Sequence, residues 1–346
     1  MPIKIFPRSI SKHDQVDIVA PSSPIPQGRL TKVVEFLTKL GLDTRVGRTL
    51  QRSTDVYTGV QAGQIKAADL PTYDNCGYIA GSPRERADDI LSATGSALFC
   101  LRGGYTALQT IPHLLNDERF SELVKRAPAI SGYSDITPLI NIIYDRASLI
   151  TYHAPMITPN FTKPSMLDAN GQPNQYSYDY WRKFLFTDWQ QVELKNPVGR
   201  SLKTVVGGKA SGDIVGGNLE ELHWLCGTPY QIDLHDKILF LEDVEVATTN
   251  LDVDLTQMKL AGLFDGVNGI ILGDFVDCSN SSDGDLTGYE SFTAEQLVIE
   301  RLMEYAPHVP ILAGLAVGHA VQTLTIPIGA HCELDADRQT IVVYRR

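Results

Sequence analysis

The sequence AISGYSDIT, residues 129–137, predicts the local structure around which the rest of the chain is organised. Residues 128–130 predict the end of a short buried strand. Residues 138–144 carry apolar side chains at helical spacing, with Pro138 in the first turn, where its missing N–H is harmless. Between them, Gly132 can adopt a tight backbone conformation that other residues resist. The stretch therefore predicts a strand, a sharp turn and a helix, with Ser134 exposed above the sheet edge.

Ser134 in such a turn is a candidate nucleophile, because backbone N–H groups at the start of the helix could bind an oxyanion. The pattern is incomplete, since Ile136 occupies the place of the last glycine of a standard G-x-S-x-G turn. A serine at a strand–helix junction often only caps the helix. The assignment therefore depends on partners elsewhere in the chain.

The composition is that of an ordinary globular protein. The 346 residues allow two domains, and 43% hydrophobic with 21% charged residues is typical of soluble chains. The net charge of −11 argues against a nucleic-acid surface. The five cysteines are scattered without a C-x-x-C pair, which disfavours a disulfide scaffold or a zinc site.

The ends of the chain and its apolar runs bear on localisation. Residues 1–15 contain no continuous apolar segment of a secretory signal, and no run approaches the ~18 apolar residues of a membrane span. The sequence therefore predicts a reduced, cytoplasmic protein with no membrane partner.

Strands and helices alternate through the first 144 residues. Strands are predicted at 16–20, 42–46 and 97–101, with helices between them, and this alternation predicts a parallel sheet with helices on both faces. Ligands of such sheets bind at the carboxyl ends of the strands. Three turns fall there: residues 21–24, Arg102-Gly103-Gly104 and the Ser134 turn. The two glycines would let a backbone N–H approach a ligand, although an ordinary tight turn explains them equally well.

The second half predicts another α/β unit. Residues 158–200 lose clear periodicity and predict a connection with a short helix at 181–186. Apolar strands follow at 238–241, 269–272 and 309–313, and residues 324–328 and 340–344 predict a closing pair of strands. The predicted organisation is an N-terminal domain at 1–165, a linker at 166–200 and a C-terminal domain at 201–346.

A nucleophilic serine needs a base, and the base needs an orienting carboxylate. His319 directly follows Gly318 after an apolar run, and Glu242 directly follows the strand 238–241. His153, just after a predicted strand, is a further candidate. The order Ser134, Glu242, His319 also occurs in α/β-hydrolases, so the order alone does not choose a fold.

Six separated blocks together resemble the LD-carboxypeptidase family of serine peptidases, in that family's order and over nearly the whole chain. The blocks are R-G-G-Y at 102–105, G-Y-S-D-I-T at 132–137, T-Y-H-A-P-M at 151–156, G-G-N-L at 216–219, L-F-L-E-D at 239–243 and G-H at 318–319. The resemblance implies an α/β fold with an N-terminal Rossmann-like parallel-sheet domain, a smaller C-terminal mixed domain and an active site between them.

The resemblance also implies roles for single residues. Ser134 would be the nucleophile, His319 the general base and Glu242 the group that orients it. The oxyanion hole would use the backbone N–H of Asp135 and that of Gly103 or Gly104. The substrate-side residues it suggests are Arg102, Tyr105, His153 and Asn218.

The reaction implied by the resemblance is release of the terminal D-alanine from a murein tetrapeptide during cell-wall recycling. The expected substrate is a small peptide or muropeptide, with no metal or cofactor, and the expected assembly is a homodimer. Departures from the family pattern could change the pocket: Thr106, Ala154, Val253 and an apparent extra polar loop at 278–290.

Two alternatives stay open at this level. One is a hydrolase related to microcin C self-immunity, which would cleave acyl-sulfamoyl adenylates and could stack the nucleobase on the aromatic residues 176–181. The other is a non-catalytic small-molecule binding module that has kept the two-domain cleft.

Overall fold

The computed structural model describes residues 3–66, 79–279 and 292–346, so Cys76 and most of the polar loop at 278–290 lie outside the described residues. The first part contains β1 (Gln15–Val19), α1 (Gln27–Lys39), β2 (Asp43–Val46), α2 (Arg48–Gln61), α3 (Pro83–Leu91), β3 (Ala97–Cys100), α4 (Ala107–Leu115), α5 (Arg119–Arg126), β4 (Ala129–Gly132), α6 (Thr137–Ala147) and β5 (Thr151–His153). The second part contains α7 (Gln175–Phe186), β6 (Gln191–Glu193), β7 (Lys203–Val206), β8 (Lys209–Asn218), α8 (Leu219–His223), β9 (Lys237–Val244), α9 (Thr248–Leu260), β10 (Gly269–Val276), α10 (Ala294–Tyr305), β11 (Ile311–Ala313), β12 (Ile326–Ile328), β13 (His331–Asp335) and β14 (Thr340–Tyr344).

The first sheet has the strand order β12-β5-β4-β3-β1-β2. Its five N-terminal strands pair in parallel, and β12 joins the edge antiparallel to β5. Strands β3 and β4 are buried along their whole length, because helices cover both faces of a parallel sheet. This confirms the predicted N-terminal parallel α/β unit.

The second sheet is mixed, with the order β6-β14-β13-β8-β9-β10-β11-β7. Strands β8 to β11 form a parallel centre, whereas β13, β14, β6 and β7 add antiparallel pairings at the two sides. The predicted fold class, with a second mixed α/β unit, is thereby confirmed.

One predicted strand pairing is wrong. Residues 326–328 form β12 in the first sheet, whereas residues 340–344 pair with β13 and β6 in the second sheet. Both stretches are short and apolar, and such a pattern does not specify which sheet a strand joins. Pro327 fits the observed place, because a residue without an N–H is tolerated in an edge strand.

The stretch predicted to be a linker contains more regular structure than expected. Helix α7 begins at Gln175, not at residue 181, and Trp181 is fully buried with its ring 5.7 Å from that of Phe99 and 5.2 Å from that of Phe161. Strand β6, from the same stretch, is an edge of the second sheet. The limits 1–165, 166–200 and 201–346 stay a prediction.

The two sheets meet through α6 and the end of β8. Asn141 Nδ2 donates to the Gly216 carbonyl at 2.8 Å, and Gly216 N donates to Asn141 Oδ1 at 2.9 Å. Asn218 N donates to Thr137 Oγ1 at 3.2 Å. These buried bonds hold the start of α6, just after the Ser134 turn, against the carboxyl end of β8.

Candidate active site

The turn after β4 places the strained backbone on the serine itself. Ser134 has a φ of 62°, a left-handed conformation that few non-glycine residues adopt and that is often found at functional turns. The prediction that Gly132 supplies the tight conformation is wrong, because Gly132 is not among the residues with positive φ. Its glycine is needed for space, since a Cβ there would lie 2.9 Å from Ile136 Cγ2 and 3.0 Å from Cys100 Cβ.

The 102–106 turn lies directly against the serine. A Cβ on Gly103 would lie 3.0 Å from Ser134 Oγ and 3.2 Å from the backbone nitrogen of Asp135. Asp135 Oδ2 accepts hydrogen bonds from Thr106 N at 2.7 Å and Ala107 N at 3.0 Å. A carboxylate at the start of α4 is favourable there, because the first N–H groups of a helix have no partner within it. The Asp135 side chain thus locks together the two turns predicted to form the oxyanion hole.

His319 and Glu242 form a buried pair. His319 Nδ1 lies 2.8 Å from Glu242 Oε2, and Glu242 is fully buried. Burial alone would lower the pKa of His319, but the Glu242 charge and hydrogen bond outweigh this and raise that pKa above its ordinary value. With Nδ1 bonded to the carboxylate, Nε2 is the nitrogen left for a substrate or nucleophile. The pair therefore has the geometry of an oriented general base.

Ser134 and His319 line the same cavity of about 590 Å³. Within the described part of the chain, Ser134 Oγ makes no side-chain hydrogen bond, to His319 or to any other residue. Such bonds are often long in ligand-free sites and tighten when substrate binds. The structure therefore brings the three predicted side chains to one region. The hydrogen bond between Ser134 Oγ and His319 would have to form when substrate binds.

The predicted substrate-side residues fall into two groups. Arg102, Tyr105 and Asn218 line the cavity, and Tyr105 is 75% exposed. The side chain of Asn218 is already engaged, since it donates to Asp243 Oδ1 at 2.7 Å and accepts from Glu221 N at 3.1 Å, capping α8. Arg102 and Tyr105 are therefore freer than Asn218 to meet a ligand.

His153 lies behind the cavity wall. It is 1% exposed, its ring packs edge-on against those of Phe240 at 5.0 Å and Tyr133 at 5.8 Å, and neither ring nitrogen has a hydrogen-bond partner in the described residues. Burial lowers its pKa to about 4, so its ring is neutral at pH 7. In this structure His153 could influence a substrate only through its neighbours.

The cavity also contains charged residues that the sequence analysis missed. Glu220 and Glu221 follow Asn218, Asp243 follows Glu242, and Lys163 lies on the segment after β5. Burial, and then the charge of Glu242, raises the pKa of Asp243 to about 7. Glu220 directly follows the G-G-N-L block and Asp243 is the last residue of the L-F-L-E-D block, and this position was the signal that could have identified these two. Glu221 and Lys163 had no such signal.

A larger cleft of about 1020 Å³ lies elsewhere, lined by Lys4, Tyr144, Asp213, Lys237 and Arg346 among others. None of the predicted site residues lines it. Size alone does not identify an active site, whereas a serine beside an imidazole–carboxylate pair gives a chemical reason to prefer the smaller cavity.

The three single-residue departures from the family pattern differ in their surroundings. Thr106 is buried and its N–H is bonded to Asp135, and buried Ala154 donates its N–H to the Gly132 carbonyl at 3.2 Å. Val253 is 64% exposed on α9.

The described residues include no cluster of three potential metal ligands. No helix in the described ranges is long and apolar enough to cross a membrane.

Comparison with known proteins supports the resemblance. The family model described as the LD-carboxypeptidase N-terminal domain matches residues 16–154, and that of the C-terminal domain matches residues 211–334. A Bacillus subtilis protein named "Probable murein peptide carboxypeptidase" is 28% identical over 97% of this chain and 93% of its own length. A Streptomyces coelicolor protein that is named as a carboxypeptidase is 30% identical over 99% of this chain and 96% of its own length.

Two kinds of solved structure share the fold. The microcin C7 self-immunity protein MccF, in complex with aspartyl sulfamoyl adenosine, aligns over 100% of this chain and 99% of its own with a TM-score of 0.77 and 21% identity. The Oxalobacter formigenes muramoyltetrapeptide carboxypeptidase aligns over 94% of this chain and 98% of its own, with a TM-score of 0.71 and 21% identity. At these identities the likeness concerns the fold.

Proposed function

Because this chain belongs to the LD-carboxypeptidase family, we propose that it is a serine L,D-carboxypeptidase that releases the terminal D-alanine of a murein tetrapeptide in cell-wall recycling. Membership of this family supports peptidase activity. The observation that carries the finer proposal is the single cavity lined by Ser134 and His319, with Glu242 bonded behind the imidazole.

The reaction would proceed in two halves. His319 Nε2 takes the proton of Ser134 Oγ while Oγ attacks the scissile carbonyl carbon, and the carbonyl oxygen becomes an oxyanion. His319 then gives the proton to the leaving amine, the C–N bond breaks and an acyl-enzyme remains. A water molecule, deprotonated by His319, attacks the ester, and the proton returns to Ser134 when the acid product leaves.

The oxyanion would be held by the backbone N–H of Asp135 and that of Gly103 or Gly104. The close packing of Gly103 on Ser134 Oγ supports this, because only a residue without a side chain lets the backbone approach so near. Donors fixed before the reaction stabilise the developing charge without reorganising. The Asp135 side chain fixes both turns and so serves that purpose.

The cavity also supports recognition of a free carboxyl terminus. Arg102 and Lys163 are the lysine and arginine side chains that line it, and neither forms an ion pair within the described ranges. Arg102 Nη1 donates to the Pro24 carbonyl at 3.2 Å, which leaves further donors for a ligand. A carboxypeptidase must bind the terminal carboxylate of its substrate, and a guanidinium suits that group.

A hydrolase of acyl-sulfamoyl adenylates is the second candidate. The aromatic residues 176–181 do not line the cavity, and Trp181 is fully buried, so nucleobase stacking on that segment is not supported. Tyr105 is instead the exposed aromatic side chain at the cavity. It keeps this alternative open.

A non-catalytic binding module would not need an oriented imidazole. The 2.8 Å hydrogen bond between His319 Nδ1 and Glu242 Oε2 favours a hydrolase over such a module, because it orients the imidazole and leaves Nε2 for a nucleophile. The homodimer and the cytoplasmic location stay predictions.

The deciding experiment is mass spectrometry of a muropeptide mixture before and after incubation with the protein, with an acyl-sulfamoyl adenylate assayed in parallel. We expect the wild type to remove the mass of one D-alanine residue from tetrapeptides. The Ser134→Ala variant should show no such loss, although its circular dichroism spectrum should match that of the wild type. Release of D-alanine by the alanine variant at the wild-type rate would contradict the mechanism. Cleavage of the adenylate alone would favour the second candidate.

A further inference from the structure

Two buried carboxyl groups lie beside the cavity, and the mechanism above gives a role to one of them only. Asp135 belongs to the nucleophile turn and is 0% exposed, and Glu221 belongs to α8 and is 5% exposed. Glu221 also lines the cavity. The elements that carry them are joined by a hydrogen bond: Asn218, the N-cap of α8, donates its N–H at 3.2 Å to Oγ1 of Thr137, two residues after Asp135. Since α8 follows β8, this holds a helix of the second sheet against the nucleophile turn that follows β4.

The oxygens of this pair have unequal surroundings. Asp135 Oδ2 is occupied by the N–H groups of Thr106 and Ala107. Asp135 Oδ1 and Glu221 Oε2 are both buried, and neither has a hydrogen-bond donor among the described residues. Two ionised carboxylates in a site with little water would repel strongly, so a neighbouring pair retains a proton.

We propose that a proton held between Glu221 and Asp135 ties α8 to the nucleophile turn, and that Glu221 is thereby a positioning residue for hydrolysis. The activity part of this inference rests on the proposed function. The bond forms when the protonated carboxyl of Glu221 donates to Asp135 Oδ1, which leaves the Asp135 carboxylate free to hold the start of α4.

What Glu221 would position follows from the contacts on either side. Asp135 fixes the turn that carries Gly103, and its own N–H belongs to the proposed oxyanion hole. On the other side, α8 is anchored through its cap Asn218, which donates to Asp243 beside Glu242 on β9. The shared proton would thus hold the nucleophile turn at a fixed position relative to β9, the strand that carries the orienting carboxylate.

The surroundings assign the proton to Glu221. Burial and then the neighbouring charge of Asp135 raise the pKa of Glu221 well above its usual range, and Glu220 and Asp243 add to this. Burial also raises the pKa of Asp135, but hydrogen bonds from Ser22, Ala107, Glu221 and Thr106 act against that rise. Helix α9, which packs against α8, contributes Asp254, whose Oδ1 lies 3.2 Å from Nδ1 of His223 on α8.

The first test compares two substitutions at one position. Glu221→Gln keeps a donor of similar shape and should keep kcat on a murein tetrapeptide within about twofold of the wild type. Glu221→Ala leaves Asp135 Oδ1 without its donor and should lower kcat about tenfold or more, with a smaller change in KM. Asp145→Asn is the control, because Asp145 is another partly buried carboxyl with a raised pKa, and it lies about 12 Å along α6 from Thr137.

The second test does not depend on activity. A group with a raised pKa in the folded state loses its stabilising contribution as the pH rises from its unfolded pKa, 4.5 for glutamate, toward its folded value. Glutamine does not titrate. The melting temperature of Glu221→Gln minus that of the wild type should therefore increase with pH above about 4.5.

Three results would overturn the inference. They are a loss of kcat in Glu221→Gln as large as in Glu221→Ala, an unchanged kcat in Glu221→Ala, or a melting-temperature difference that does not vary with pH. If the wild type fails to release D-alanine at all, the proposed function is refuted, while the melting experiment still decides whether Glu221 holds the proton.

Discussion

Replacing Glu242 with glutamine is the most direct test of the imidazole–carboxylate pair. The substitution keeps the shape of the side chain and removes its charge, in a place that is fully buried. Glutamine can still accept a hydrogen bond from His319 Nδ1, but it can equally present its amide N–H₂ and favour the wrong tautomer. The lost charge and the wrong tautomer both impair the base. The first changes the pH dependence of the rate, and the second lowers the maximal rate.

The size of each effect can be worked out from the contact. A hydrogen bond to a charged group contributes about 1.5–3 kcal/mol. Its loss should lower the pKa of His319, because burial, the largest influence on this imidazole, already acts in that direction and is then opposed by the weaker influence of the Asp243 and Glu245 charges. The tautomer effect should lower kcat by about 10³–10⁴-fold, as in related triads.

The assay is the pH dependence of D-alanine release from a murein tetrapeptide. His319 acts as a base only when neutral, so kcat/KM of the wild type should fall as the pH drops through its raised pKa, above 6.5. In Glu242→Gln this acidic limb should move to lower pH while the maximal rate decreases. Glu333→Gln, on an exposed position of β13, should change neither value.

The reasoning would be refuted by a Glu242→Gln variant that loses activity without any movement of the acidic limb, or whose limb moves to higher pH. The first result would mean that the charge of Glu242 does not set the pKa of His319. The second would mean that another carboxylate controls the imidazole, with Asp243 and Glu245 as the next groups in order of influence.

Three further predictions address the cavity and the core. Gly103→Ala should lower kcat about 10²–10³-fold with an intact fold, because the added Cβ would lie 3.0 Å from Ser134 Oγ, and an unchanged kcat would exclude this turn from the oxyanion hole. Arg102→Gln and Lys163→Gln should each raise KM about tenfold for a peptide acid but not for the corresponding amide, and equal effects on both would exclude carboxylate recognition. Trp181→Ala should lower the free energy of unfolding by about 3–5 kcal/mol in urea titrations, since the ring is fully buried; a loss below 1 kcal/mol would contradict its role in the core.

The sequence predicts local features well where a short pattern determines the outcome. Residues 82–85, Ser-Pro-Arg-Glu, have the sequence pattern of a capping box, and the structure contains both of its hydrogen bonds. The helix that begins near Pro138 follows the predicted strand. The fold class follows from the alternation of such elements. The resemblance to the LD-carboxypeptidase family adds the residue set, which no single local pattern would have chosen.

The sequence predicts less where distant parts of the chain compete for the same place. A left-handed Ser134 cannot be read from its own residue type, because serine rarely adopts this conformation and the turn packs closely, at Gly132 and Gly103, against residues distant in the sequence. Likewise, the segment around Trp181 has a linker-like composition, but its indole fills a space between Phe99 and Phe161 that only the folded N-terminal unit creates. Long-range packing decided both cases.

The glycine before His319 shows how the backbone enforces the pair. A Cβ on Gly318 would lie 2.6 Å from Glu242 Oε2, and one on Gly273 would lie 3.1 Å from Glu242 Cβ. A side chain at either position would press on Glu242, so β10 and the turn before His319 both have glycine where they pass it. Glu242 is fully buried, and a charge in such a place interacts strongly with its partner. The glycines therefore support the raised pKa of His319 by leaving room for the carboxylate beside the ring, and a serine or alanine at 318 would disturb the pair by forcing Glu242 away from the imidazole.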